Sequence, residues 1–349
     1  MKSMSIKLLG ATLALLVVDV SAMAQGSRPN VVSQTSSRVS TDAIPLLQVE
    51  LQKTLDSMPR VEGQQPVINV SLAYDESARR LIVDLGSGGL PAFNGVEWEE
   101  QAQILINVVS DVLGDEVGVS EIRFEFEGKK LEELRPDPDE IDSIERQSLW
   151  APKASADSTP VVVVDGGHGV YWNYKFNDWR AQRDPLNGIT EDYLTPELAR
   201  TLKTYLSADS GISALLTRSD FVNLHPEANV EEWKMASRYY LKTMLPERKD
   251  IWNSLPTATH NLRERDEDLR SRPKYANHLG ADYLIHLHAD ATDSVTVRGT
   301  RVYVQPGRPV DEALGSSILC SMKEIIRADP DYSEWRVADA PMQADKGEN

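Results

Sequence analysis

Four consecutive valines, Val161 to Val164, run directly into Asp165-Gly166-Gly167-His168-Gly169. An unbroken β-branched run is the pattern of a strand buried on both faces of a parallel sheet, so helices must cover both sides and the surrounding chain must fold as α/β. The glycines let the backbone turn sharply and leave His168 at the carboxyl end of the strand. Open α/β sheets place their sites at that end. On its own, a glycine-flanked His is more often an ordinary loop residue than a ligand.

Two further segments carry the same kind of residue. Ile189-Thr190-Glu191-Asp192 precedes a helical stripe of Leu198, Ala199, Leu202, Tyr205 and Leu206, with Thr195 as the expected N-cap and Pro196 at the first helical position. Glu191 then stands just before a helix, either projecting into a cleft or complementing the helix dipole. Residues 281–290 read ADYLIHLHAD, a strand that sets His286 and His288 two apart on one face. Together, two His and one Glu from two strand ends and a helix entry give a His₂Glu zinc set with an open position for water. Bound zinc lowers that water's pKa to roughly 7 and polarises a carbonyl, the apparatus of amide hydrolysis. The single cysteine, Cys320, excludes a disulfide framework or a Cys-built metal site, so a metal here must be held by His and carboxylate.

VVVVDGGHG at 161–169, the Glu191 helix entry, LLTRSD at 215–220, Arg272 before Ala276-Asn277, ADYLIHLHAD at 281–290 and RGTRVYV at 298–304 resemble the Amidase_3 family of zinc-dependent N-acetylmuramoyl-L-alanine amidases. That resemblance implies a mostly parallel twisted sheet flanked by helices. It also implies peptidoglycan as substrate, hydrolysis of the amide between N-acetylmuramic acid and L-alanine, Zn2+ as cofactor, and His168, Glu191 and His288 as its ligands. Gly166 stands where the family usually has Pro, Val170 where Gly is frequent, and His286 where Ser is common. Asp165 either orients a ligand or closes the turn, and His286 either hydrogen-bonds near the site or packs beside it. Arg272 is the third such candidate for orienting a ligand or meeting substrate.

The family also carries a Glu on a late strand, in a context like V-E-x-G-F, as general base and then acid. Here a helix expected over Val310–Ala328, with Cys320 in its buried face, is followed by a polar stretch to Asn349. The expectation is a C-terminally truncated chain whose catalytic Glu lies beyond Asn349. Residues 1–349 would then bind zinc but hydrolyse about 10²- to 10⁴-fold more slowly. The alternative is a catalytically incomplete amidase-like protein that binds peptidoglycan or an envelope partner. A zinc peptidase or amidase acting on another peptide would share the same metal set.

Lys2 and Lys7, the apolar Leu8–Val18 and Ala22-Met23-Ala24 read as a signal peptide (1–24) cleaved after Ala24, which sends the chain to the periplasm or outside the cell. No later stretch reaches about 18 apolar residues, so no membrane span is expected after cleavage. Residues 25–64 read as a disordered lead-in and a helix over Ile44–Met58 that caps or tethers the next domain. Strands at Val67–Tyr74 and Arg80–Leu85, a helix at Val96–Leu113 and a strand at Ile122–Glu127 make a small α+β domain over 65–134. Its order resembles a GerMN-type domain, which implies a binding or positioning module. A linker (135–159) leads to the zinc amidase domain, 160–349.

Two insertions stand out. The first, between His168 and Glu191, carries Tyr171, Trp172, Tyr174, Phe176 and Trp179, suited either to sugar and peptide packing or to a cluster that holds down its own loop. The second, 221–261, is expected to be helical and to serve as a lid or as the seat of an envelope activator protein. With 37 basic against 54 acidic residues and a net charge of −17, the chain offers no counterion-release footprint, so nucleic acid is excluded as a partner.

Overall fold

The computed structural model describes residues 39, 43–92, 95–113, 119–135, 159–186, 188–208, 211–289, 299–305 and 307–344. The signal peptide, almost all of the lead-in before residue 43 and residues 136–158 of the linker lie outside them. The chain forms two compact units.

The first unit begins with α1 (Ala43–Ser57), β1 (Ser71–Asp75), β2 (Arg80–Asp84), α2 (Val96–Leu113), β3 (Glu121–Glu125) and a short α3 (Leu131–Leu134). Leu47, Leu51 and Leu55 of α1 are fully buried with Leu105, Ile106 and Val109 of α2, Leu81 and Val83 of β2, and Ile122 of β3. Each such leucine stabilises the fold by roughly 1.5–3 kcal/mol. The first helix is therefore part of this core rather than a cap or tether ahead of it.

The second unit contains β4 (Val161–Gly166), the hairpin β5 (Tyr171–Asn173) and β6 (Asp178–Arg180), α4 (Glu191–Ala208), β7 (Ser213–Leu216), α5 (Ser237–Met244), α6 (Lys249–Trp252), α7 (Arg263–Leu279) and β8 (Tyr283–Leu287). β4 lies between β7 and β8 and is parallel to both, with Val162 opposite Ala214 on one side and Tyr283 on the other. Val162 and Val164 pack with Ala199 and Leu202 of α4, whereas Val163 packs with Ala276 of α7 on the opposite face. The unbroken valine run follows from that double coverage. The insertion at 221–261 supplies α5 and α6, as its pattern predicts.

One expected boundary moves. α4 starts at Glu191, so Thr195 is not its N-cap and Pro196 lies inside the helix. Proline has no N–H to give the carbonyl four residues back, which leaves Asp192 O without its helical donor. Arg218 fills the gap, donating from Nη2 to Asp192 O at 3.0 Å, and Thr195 Oγ1 donates to Gly167 O at 2.7 Å. The same guanidinium donates to Met235 O, Trp233 O, Gly166 O and Gly167 O, which ties α4, the site loop and the second insertion to one side chain.

The remaining elements are β9 (Tyr303–Val304), α8 (Pro309–Ala328) and β10 (Met342–Ala344). β10 runs parallel to β3 on one side and to β9 on the other, which completes a five-stranded sheet in the order β1-β2-β3-β10-β9. The described residues from 299 to 344 thus group with the first unit, whereas the sequence pattern places them with the domain that begins at residue 160. An otherwise unpaired edge of β3 gains a partner that no local pattern announces. Cys320 is exposed, contrary to expectation, because the buried stripe of α8 is Gly315, Ile318, Leu319 and Met322, and residue 320 falls outside that spacing. No helix among the described residues is long and apolar enough to cross a membrane.

Candidate metal centre

β4 ends in a turn that aims His168 back across the sheet edge. His168 adopts φ +66°, a left-handed conformation that costs a non-glycine residue of order 1–3 kcal/mol and that clusters at functional sites. Neither preceding glycine has room for a Cβ unless a neighbour moves. A Cβ on Gly166 would lie 2.8 Å from the backbone of Pro196, which leaves no room for the proline usual in the resembling family. A Cβ on Gly167 would lie 2.4 Å from Cε1 of His288. Gly167→Ala is accordingly expected to displace the His288 ring and to weaken metal binding by at least about 10-fold while the circular dichroism spectrum stays that of the wild type. Unchanged zinc affinity in a chelator competition would contradict this packing.

His168, the first residue pair of α4 and the end of β8 converge. His168 Nε2 and His288 Nδ1 are 3.1 Å apart, and Glu191 Oε1 lies 3.3 Å from the former and 3.2 Å from the latter. Zinc–nitrogen bonds of 2.0–2.1 Å in a tetrahedron put neighbouring ligand atoms about 3.3 Å apart. Two imidazole nitrogens and one carboxylate oxygen at this spacing could hold one such ion, and they form the group of His and carboxylate side chains suited to it among the described residues. Burial works against ionisation of Glu191, but His168 and then His288 outweigh it and hold the carboxyl well below its ordinary range. Oε1 also accepts the Ala289 N–H at 2.8 Å, and Arg183 Nε lies 3.6 Å from Oε2.

One layer beneath, Asp165, His286 and Arg272 meet in a buried polar cluster. Asp165 takes His286 Nδ1 at 3.1 Å, Ser237 Oγ at 3.2 Å and the Thr217 hydroxyl, and pairs with Arg272 Nη1 at 3.4 Å. It is therefore the hub of a network and does more than close a turn. Arg272 continues to Asp268 Oδ2 at 2.6 Å. Burial would raise the Asp165 carboxyl, yet Arg272, His286 and Thr217 together hold it far below the ordinary carboxylate range. A depressed folded pKa contributes stability that is fully present above the unfolded value, about 3.9, and is lost as the pH falls through the folded one. Asp165→Asn should be less stable than the wild type at pH 7, with the gap in urea midpoint narrowing below about pH 4. A gap independent of pH would contradict the assignment.

Three residues of the site, Asp192, Gln182 and Arg218, are not singled out by sequence reasoning. Asp192 is fully buried and accepts the backbone N–H groups of Gly169 at 2.8 Å, Gln182 at 2.6 Å and Arg183 at 3.0 Å. Gln182 approaches His168, and Arg218 knits the carbonyls of the site loop, α4 and the second insertion. Only the adjacency of Asp192 to Glu191, and the place of Arg218 within TRSD, could draw attention to them. The aromatic insertion packs largely on itself and on the second insertion. Trp179 sits edge-on to Trp172 at 5.6 Å and to Tyr239 at 5.2 Å, whereas Tyr174 and Phe176 are exposed. The second insertion pairs with the site loop at Val170, whose N–H donates to Lys234 O at 2.8 Å and whose carbonyl accepts the Ala236 N–H at 3.0 Å.

A parallel α/β sheet with two imidazoles and a carboxylate gathered at its carboxyl edge has the donor set for a metal-assisted hydrolysis. The family model Amidase_3, N-acetylmuramoyl-L-alanine amidase, matches residues 162–337, just over half of the chain. The chain belongs to that family, whose substrate is peptidoglycan. No curated protein and no solved structure matches it.

Proposed function

We propose that this protein is an exported, zinc-dependent N-acetylmuramoyl-L-alanine amidase that hydrolyses the amide between N-acetylmuramic acid and the L-alanine of the stem peptide during cell-wall remodelling or cell separation. The observation that carries the reading is the mutual spacing of His168 Nε2, His288 Nδ1 and Glu191 Oε1, 3.1–3.3 Å. Zinc bound there would supply a water of lowered pKa and a polarised carbonyl. The chain's own residues hold the donors in place. Glu191 is fixed by the Ala289 N–H, and Asp192 clamps the loops on either side of the site through three backbone N–H groups.

The proton needed by the departing amine falls to a late-strand Glu in the family pattern. β10, the last described strand, reads Met342-Gln343-Ala344 and carries none. No general acid–base residue is assigned among the described residues. In this reading the unit built on β1–β3 is a binding or positioning module, and the second insertion is the surface for an envelope activator.

Product chemistry is the test, because it does not depend on rate. Purified peptidoglycan incubated with the zinc-loaded protein should release stem peptides with a free L-alanine amine and leave intact lactyl-muramic glycan, as read by mass spectrometry. Cuts elsewhere in the stem would point to another zinc peptidase. Sedimentation with peptidoglycan and no cleavage would point to a binding protein.

A further inference from the structure

We propose that Gln182 is a positioning residue of this centre: held by Asp268, its side-chain oxygen fixes His168 in the tautomer that leaves Nε2 free for the metal. The inference rests on the reading of His168, Glu191 and His288 as ligands, and it assigns a role to the aromatic loop that returns to the site at Gln182.

A neutral imidazole carries its proton on one nitrogen and a lone pair on the other, and the partner of the far nitrogen decides which. His168 Nε2 faces His288 and Glu191, while His168 Nδ1 lies 3.3 Å from Gln182 Oε1. A glutamine amide can in principle be turned either way, presenting NH₂ or oxygen. Asp268 removes the choice. Its Oδ2 receives Gln182 Nε2 at 3.0 Å and Arg272 Nη2 at 2.6 Å, and its Oδ1 receives the Arg238 N–H at 3.0 Å, so it acts as an acceptor on every side. The Gln182 amine must point to Asp268 and its oxygen to His168. Nδ1 then donates, and the Nε2 lone pair is directed at the metal position. The backbone is fixed too, since the Gln182 N–H donates to Asp192 Oδ1 at 2.6 Å. Helices α4 and α7 thus grip the same residue from two directions.

Ligand histidines usually place a carboxylate, carbonyl or water at the far nitrogen, and losing that partner costs roughly 10- to 100-fold in metal affinity. The test uses ring ¹⁵N spectra of His168 in the metal-stripped protein, together with zinc affinity by chelator competition. Wild type should show protonated Nδ1. Gln182→Leu, which has no acceptor, should lose that preference and bind zinc about 10- to 100-fold more weakly with an unchanged circular dichroism spectrum. Gln182→Glu, an obligate acceptor, should keep Nδ1 protonated and bind zinc within about 10-fold of wild type. Wild-type tautomer and affinity in Gln182→Leu, or loss of both in Gln182→Glu, would overturn the inference. Wild-type protein that binds no zinc would instead overturn the ligand assignment on which it rests.

Discussion

His288→Ala should lower zinc affinity by about 10²- to 10³-fold while His286→Ala, two residues away, stays within about 10-fold of wild type. The magnitude follows from dividing the roughly 10–16 kcal/mol of a structural zinc site among four ligands, about 2.5–4 kcal/mol each. The contrast follows from geometry. His288 Nδ1 points at His168 and Glu191, whereas His286 Nδ1 is spent on Asp165. Chelator competition on the two variants, with circular dichroism to show that both are folded, checks it. Equal losses would mean that the two histidines share one role, and the site as drawn would be wrong.

Arg272→Ala should destabilise the fold by about 3–5 kcal/mol, since removing one member of a buried ion pair leaves the others buried without compensation. Arg272 is almost entirely inaccessible, and it faces the equally buried Asp165 and Asp268. Arg272→Lys should recover less than half of the loss, because an ammonium cannot span two carboxylates as the planar guanidinium does. Urea unfolding of the three proteins at pH 7 decides this, and a change under about 1 kcal/mol in Arg272→Ala would show the cluster to be solvated or rearranged. Loss of Arg272 should also loosen the centre above it, because Asp268 is the anchor shared by Arg272 and Gln182.

What can be read from the sequence is what depends on local pattern. The valine run specifies a strand covered on both faces, and Val162, Val163 and Val164 alternate between α4 and α7 as that requires. His168, Glu191 and His288 are visible because each ends or begins an element with a recognisable period. Features set by long-range contacts are not legible. Pro196 reads locally as a helix start, and only Arg218, distant in sequence, makes it tolerable inside α4. β10 is three residues of no marked β pattern, and its pairing with β3 is decided by an edge more than two hundred residues earlier. Gln182 lies in a loop whose aromatic residues dominate the sequence, while its own role depends on Asp268 in another helix. Cys320 has apolar neighbours that suggest a buried face, but the stripe through Gly315, Ile318, Leu319 and Met322 passes it by.

The most direct measurement is zinc stoichiometry with X-ray absorption at the zinc edge, on the wild type and on Glu191→Gln. One zinc per wild-type chain is expected, with nitrogen and oxygen neighbours at about 2.0–2.2 Å, no sulfur, and two imidazole rings in the outer scattering. Glu191→Gln should retain much less metal at the same free zinc. A wild-type chain that holds no zinc, or one whose zinc is indifferent to Glu191, would contradict the assignment of His168, Glu191 and His288 as a metal centre.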